Sequence, residues 1–415
     1  MHSAVPPDFD IAIVGGGLAG SLLATLLGRA GRHVAVIDRH AVYPSDFRAE
    51  QIVGAQCLHF QRLGLLRAVV GDAPPVTRAL AAMGGKVIGQ VEAPHYGLPY
   101  EALVARVRAT VPESVPWLTG RVVEVGTGIE TQAVTLADGR RLTARLVILA
   151  NGLQRALQRE LGFERRVLRA GHSLSFGFDL VPTADHGAPC PVLVHFGGRR
   201  DGVDYLTTFP MGGATRANLF TYWDHRSPPA RAFRQDPEPV LRQIFPRLSA
   251  VLGGWRVGGP VQARVTDVET VANPIRDGVV LVGDAFQTSC PATGTGISRL
   301  LTDVEQLCTV HLPAWLASPG MAAEKIAGFY ADPVKLAADR EALQAAEYRR
   351  ALATAAGAGW AAHRTLLGVR RRIGGWIGGP ERLTTGIRPL AAAPAIHAPP
   401  PPDFLPIGSA PVSSR

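Results

Sequence analysis

Lysine is almost missing from this 415-residue sequence. Lys86, Lys325 and Lys335 are the only three, so arginine carries nearly all of a formal net charge of +9. The arginines are spread along the chain, which argues against a nucleic-acid stripe and leaves a general attraction for phosphates or acidic small molecules. Cysteine is nearly as scarce. Cys57, Cys190, Cys290 and Cys308 form no C-x-x-C and have no histidine at metal-ligand spacing, so no metal site is expected and the thiols read as reduced, in a cytoplasm. No apolar run reaches the length of a bilayer crossing. Met1 to Asp8 lacks a basic segment followed by an apolar core, so no secretion signal is expected.

What remains is the composition of a globular enzyme, 47% hydrophobic and 19% charged, in a chain long enough for two domains. Its organising stretch is Asp10 to Gly20, an apolar strand run leading into Gly15-x-Gly17-x-x-Gly20. A helical pattern follows over Ser21 to Ala30, then an apolar run from His33 to Ile37 that ends in Asp38. Strand, glycine turn, helix, strand and acid together form a dinucleotide site. Gly15 permits the tight turn, Gly17 lets a pyrophosphate approach the backbone, and Gly20 lets the helix pack on the strands. The helix N-terminus, with Leu18 and Ala19, faces the diphosphate, and Asp38, followed by Arg39, is placed to accept ribose hydroxyls.

Further along, Ala49 to Leu66 is predicted helical, with Arg48 at its front as either a phosphate partner or a solvated arginine. Ala79 to Val91 reads as a strand excursion around Gly84-Gly85-Lys86, and Pro99 to Ala109 as a helix. Strand patterns at Leu118 to Val125, Thr131 to Leu136 and Arg141 to Thr143 enclose Ala137-Asp138-Gly139-Arg140, a type I′ hairpin signal. A buried strand, Leu146 to Ala150, stops at Asn151-Gly152. Four strands without intervening helices, at Ser173–Leu180, Val192–Phe196, Val203–Phe209 and Arg216–Trp223, predict an antiparallel sheet. His195, Tyr205 and Tyr222 are its polar candidates. A helix at Pro237 to Phe245 and a strand at Gly259 to Val265 follow. The strand Gly278 to Val282 ends in Gly283-Asp284, and Pro291, Gly294 and Gly296 precede a helix from Ile297. Helices occupy Ala322 to Ala356, broken at Pro333, and Trp360 to Gly368. The basic segment Arg370 to Trp376 reads as a solvated helix end, with membrane-surface contact as its alternative.

The glycine turn together with Gly283-Asp284, Pro291, Gly294 and Gly296 resembles the class A, single-component FAD-dependent aromatic monooxygenases of the p-hydroxybenzoate hydroxylase and ubiquinone-biosynthesis hydroxylase type. The resemblance spans roughly residues 9 to 330. It implies an α/β fold in which a Rossmann-like FAD-binding domain of the glutathione-reductase type is interleaved with an antiparallel β-sheet substrate domain, with a helical C-terminus. The parts implied are 1–75, 99–171 and 266–320 for FAD and 76–98 and 172–265 for substrate; the helical patterns extend over 321–385, and composition makes 386–415 a disordered Pro/Ala-rich tail. It places Arg48 near the FAD diphosphate, Asp284 on the ribityl hydroxyls, and Pro291, Gly294, Gly296 and Ile297 beside the isoalloxazine ring, where a helix N-terminus offsets negative charge.

The implied reaction is hydroxylation of an aromatic or polyketide-like small molecule by O2 through a flavin C4a-hydroperoxide, with NADH or NADPH as donor. No protein nucleophile is required. A base for a phenol would help, and His195, Tyr205 and Tyr222 are the candidates on the sheet. The family carries Asp-Gly where this chain has Asn151-Gly152. Asparagine keeps the turn and loses the charge, so a separate flavin reductase is the alternative electron supply. The rival readings are an isoprenoid reductase that inserts no oxygen, a flavin halogenase using Lys86 but lacking W-x-W-x-I-P, and a non-enzymatic accessory protein bound through the basic segment.

Overall fold

The computed structural model describes residues 6–73, 75–183, 192–197, 201–211 and 214–373. Cys190 and the tail after Ile373, including Trp376, lie outside them.

The first layer grows from the organising stretch. β1 (Phe9–Val14) and β2 (Val34–Asp38) flank the helix Leu18–Arg29. Ile11, Ala12 and Ile13, whose side chains alternate between the two faces, are all fully buried, so both faces of this parallel sheet are covered and the run is continuously apolar. A short β3 (Ala49–Ile52) and two long strands, β4 (Val76–Met83) and β5 (Lys86–Pro99), belong to the second layer. The chain then returns through the helix Tyr100–Arg108, β6 (Trp117–Thr119), β7 (Val122–Gly126), β8 (Gln132–Leu136) and β9 (Arg141–Leu149).

The second layer continues with β10 (Arg165–Pro182), β11 (Val192–Phe196), β12 (Val203–Met211), β13 (Ala214–Thr221) and β14 (Trp255–Val271). β15 (Val279–Leu281) closes the first sheet. That sheet runs β6-β2-β1-β9, with β15 parallel to the end of β9 and the β8-β7 meander paired to its start. The second runs β14-β10-β13-β12-β11-β4-β5-β3.

Several local expectations change. Residues 49–52 are strand, not helix, because Ala49 to Ile52 pair antiparallel with Tyr96 to Pro99; the helix begins at Gly54. The second sheet is mixed, since β11 and β4 run parallel. It also reaches beyond 172–265: β10 starts at Arg165 and β14 ends at Val271. The turn at 137–140 is not type I′, which needs positive φ at both central residues. Gly139 has φ +88°, but no described non-glycine residue has positive φ, and the Asp138 carboxylate instead accepts the Arg140 N–H at 3.1 Å. Pro333 opens a helix, Pro333–Thr354, capped by the Asp332 carboxylate, which accepts the N–H groups of Val334 and Lys335 at 2.8 and 3.0 Å.

Side-chain alternation gives the second sheet two different faces. Leu174, Phe176, Phe178, Leu180 and Leu219 pack under the helices Pro228–Gln235 and Pro237–Ile244 with Phe233 and Leu241. The other face carries Val194, Phe196, Tyr205 and Phe209 against Cys290, Ala292 and Ala346.

The helix Thr295–Gln306 is joined to the helix Pro333–Thr354 through a buried ionic cluster. The Lys335 ammonium contacts Asp303 at 3.0 Å and Asp339 at 2.8 Å. Arg299, also buried, reaches Asp339 at 3.2 Å, Asp303 at 3.5 Å and Asp284 at 3.9 Å, and donates to the Ser289 hydroxyl at 3.3 Å. Asp303 in turn accepts the Gly283 N–H at 3.0 Å. At the free edge of β15, the Tyr330 hydroxyl accepts the Leu281 N–H at 2.8 Å and donates to the Leu281 carbonyl at 3.3 Å. Among the described residues, no helix is long and apolar enough to cross a membrane.

Two stability outcomes follow from this packing. Lys335→Met strands two buried carboxylates on one remaining arginine and is expected to cost about 3–5 kcal/mol in urea unfolding. His172 is fully buried, neither ring nitrogen is hydrogen-bonded, and burial lowers its pKa to about 4. The unfolded chain binds this proton from about pH 6.5 downward. The stability His172 contributes is therefore present above that pH and lost as pH falls towards 4, up to about 3 kcal/mol. His172→Phe should flatten that acid limb in unfolding midpoints measured against pH.

Candidate functional site

Between the layers lies a cavity of about 660 Å³. Its floor is the glycine turn and the start of the first helix: Gly15, Gly17, Leu18 and Ala19. Gly15 has φ +106°, and a Cβ there would sit 2.6 Å from the Ala150 carbonyl oxygen. A Cβ on Gly17 would meet nothing within 4 Å, so that position opens onto empty space. Gly20 does not line the cavity. A Cβ on it would lie 1.8 Å from the Gly15 carbonyl oxygen, so it fixes helix to turn.

Asp38 and Arg39 border the cavity at the end of β2. The Asp38 carboxylate already accepts the N–H groups of Gly16 at 2.6 Å and His40 at 2.7 Å. Arg108 lies 3.5 Å from it, donates to the Gly16 carbonyl at 2.8 Å and stacks over Trp117. Sequence reasoning missed Arg108, because its partners lie 70 to 90 residues upstream.

Arg48 lines the cavity, held by three neighbours. It donates to Asp46 at 2.7 Å and to the Tyr43 hydroxyl at 3.0 Å, and lies over the Tyr100 ring at 3.8 Å. Against the cost of burial, the hydrogen bonds and charge of Arg48 hold Asp46 below the usual carboxylate range. Glu50, on β3, also lines the cavity, and burial pushes its carboxyl up to about 7. It was not singled out from sequence, since 49–66 looked helical.

The far end is built by the strand-end acid and the second turn. Asp284, Pro291, Gly294, Gly296 and Ile297 all line the cavity. Gly283 does not, and with φ +60° it packs towards Leu300 and Ala19. Gly294, at φ +66°, turns the chain into the helix Thr295–Gln306, whose first-turn residues Gly296 and Ile297 line the cavity. Cys290 in this turn has its thiol pushed up to about 11 by burial, so it is no thiolate. Asn151 and Gly152 border the cavity too. The Asn151 amide donates to the Gln154 carbonyl at 3.2 Å and its carbonyl accepts from Gln158 at 3.3 Å. Beside them a buried Glu269 is gripped by Arg155 and Arg165, each at 2.9 Å, and Arg165 continues to the Asp284 carbonyl at 3.1 Å.

The second sheet supplies the opposite wall: Ser175, Gly177, Asn218, Phe220 and Arg264, with Phe47 packed at Gly177. His195, Tyr205 and Tyr222 are not on it. His195 faces away, stacked edge-on to Phe245, with Nε2 accepting the Gly85 N–H at 3.2 Å and Nδ1 bonded to the Phe196 carbonyl at 3.0 Å. Tyr205 donates to the Ala292 carbonyl at 2.7 Å, and Tyr222 to Asp204 at 2.9 Å; burial raises both phenols well above their ordinary range. None of the three borders this cavity. Lys86 is exposed in the β4–β5 turn and no lysine lines the cavity. Among the described residues no group of three His, Cys, Asp or Glu can hold a metal.

A family model described as an FAD binding domain matches residues 8–310. Digeranylgeranylglycerophospholipid reductase 1 of Methanopyrus kandleri is 25% identical over 316 residues, covering 71% of this chain and 78% of that protein. The ubiquinone hydroxylase UbiL of Rhodospirillum rubrum is 27% identical over 320 residues, covering 72% and 71%. The solved structure of the p-nitrophenol 4-monooxygenase PnpA from Pseudomonas putida shares the fold, with a TM-score of 0.68 over 90% of this chain and 95% of that one at 18% identity.

The two inner glycines should separate in unfolding titrations. Gly20→Ala, which drives a Cβ into backbone, is expected to lose about 3 kcal/mol or more. Gly17→Ala, at a helix N-cap with open space before it, should lose about 1 kcal/mol or less.

Proposed function

The chain belongs to the FAD binding domain family, the family of the FAD-dependent monooxygenases, and is an FAD-dependent oxidoreductase; from that premise we propose that it hydroxylates an aromatic or polyketide-like small molecule with O2. The observation that carries the reading is a single cavity bounded at one end by the Gly15–Gly17 turn and at the other by the Pro291–Ile297 turn, under a sheet wall bearing Phe220. A long, bent dinucleotide fits that run. Gly17 leaves the space a diphosphate needs, with the positive end of the first helix behind it. Asp38 is the ribose acid, Asp284 takes the ribityl hydroxyls, and Arg48 stands over the middle of the run.

FAD, when bound, supplies the oxygen-activating chemistry, fed by NADH or NADPH directly or through a separate flavin reductase. The residues of this chain orient and shield. The Thr295–Gln306 helix end offsets negative charge at the ring, and Gly294 and Gly296 let backbone approach it. Phe47 and Phe220 offer flat apolar walls to an aromatic ring. The free, buried thiols of Cys57 and Cys290 suit a reducing compartment, which favours the cytoplasm.

A second reading, reduction of an isoprenoid double bond without oxygen insertion, is favoured by the similarity to the Methanopyrus reductase. The halogenase reading lacks support for its lysine, because Lys86 is exposed and does not line the cavity. Isotope-labelled O2 separates the remaining two: label in the product is expected, and unlabelled, hydrogenated product would replace hydroxylation with reduction. Asp284→Ala, by removing charge-assisted hydrogen bonds of about 1.5–3 kcal/mol, should weaken FAD binding roughly 10- to 100-fold in fluorescence titrations.

A further inference from the structure

Acidic side chains around the cavity are nearly all engaged. Asp38 holds two backbone N–H groups, Asp46 holds Arg48, Glu269 holds two arginines, and Asp284 has Arg299 at 3.9 Å. Glu50 differs. Among the described residues it has no hydrogen bond and no ion pair within 4 Å, although it lines the cavity. Its strand fixes it there, since Glu50 is in register with Leu98 of β5 between Ala49 and Gln51, both also paired. At the other end of the same sheet, on β14, Arg264 also lines the cavity; its guanidinium is likewise without a hydrogen bond or ion pair, and its charge acts on Glu50.

We infer that Glu50 is the general base of this cavity and Arg264 the partner of the anion it creates, acting on a substrate that carries an ionisable aromatic hydroxyl. This rests on the hydroxylation reading above. In the step, the substrate O–H bond breaks, its electron pair stays on oxygen beside Arg264, and the proton bonds to a Glu50 carboxylate oxygen. Nothing is oxidised or reduced. A more electron-rich ring then meets the oxygen transfer, and the proton returns on product release.

The surroundings suit the task. The groups that face Glu50 are Arg48 and Asp46 from its own approach, Asp284 from the end of β15, Arg264 from β14, and the neutral Tyr100 phenol behind it. Two cations and two carboxylates roughly balance, which leaves burial as the dominant influence. A carboxyl poised near neutrality by burial can both take and return a proton at working pH. By the same logic its protonated form favours the folded state. That stability is present below the ordinary glutamate range and is lost as pH rises through about 7.

The test uses the FAD-loaded full chain, wild type and Glu50→Gln, with Glu50→Asp as the conservative variant. Infrared difference spectra should show a carboxylic-acid C=O band that titrates around neutral pH in wild type and is absent from Glu50→Gln. A panel running from phenol to 4-nitrophenol is then turned over under labelled O2. Glu50→Gln should slow phenol by at least about 100-fold. The loss should shrink towards none for 4-nitrophenol, already ionised at mildly alkaline pH, and Glu50→Asp should recover part of it. A band titrating only in the ordinary glutamate range overturns the assignment. So does a loss that is equal across the panel while label still enters the products, which removes the role of Glu50 alone. No label in any wild-type product removes the hydroxylation reading and the Glu50 role together.

Discussion

The geometry of the cavity depends on the salt cluster of Arg299, Asp303, Lys335 and Asp339. These four charges lie almost wholly out of water, on two helices far apart in sequence. Removing charges from water is costly, so each must be met closely or the pair of helices separates. The cluster also reaches outward. Asp303 pins the N–H of Gly283 and Arg299 grips Ser289 and approaches Asp284, so the C-terminal helix sets the height of the turn that ends the cavity. One end of the site is therefore built from the first thirty residues and the other is held by helices some three hundred residues later.

The second constraint is the two-faced sheet. One face is spent on its own small core with the helices after β13; the other meets the nucleotide layer. At Gly177 this second face carries no side chain, and a Cβ there would lie 3.0 Å from the Phe47 ring. Phe47 lies over it, and Arg216, bonded to Asp179 at 2.7 Å and to the Phe47 carbonyl, ties the loop before β3 to the wall. That loop brings Arg48 and Glu50 to the cavity, so contacts of β10 and β13 help decide where two side chains at the far end of the same sheet end up.

Much of this was legible in the sequence where the signal is local. The first glycine turn, Asp38 and the Asp284-to-Ile297 stretch each carry their own strand-turn-helix pattern, and they meet at one cavity. Gly20 and Gly283 belong to the same patterns yet act in packing, a distinction that needs the neighbours' positions. What could not be read depends on distant pairing. Ala49, Glu50 and Gln51 are good helix formers and become a strand only because Tyr96 to Pro99 lies beside them. The parallel union of β4 and β11 joins residues more than a hundred apart. His195, Tyr205 and Tyr222 were attractive by type, but alternation along a strand says only that neighbours face opposite ways, not which way the cavity lies. Arg108 and Arg264 carried no motif at all.

The small contact between Tyr330 and Leu281 has a consequence for the molecule among its copies. β15 is three residues long and lies at the rim of the parallel sheet, where bare amide and carbonyl groups would invite a strand from another chain. The phenol hydroxyl occupies both backbone groups of Leu281, and the Met321 carbonyl takes the N–H of Gly278 at 2.7 Å. Both outward backbone groups of Leu281 are thereby taken, which leaves less of this margin open to a strand from another copy when the protein is crowded.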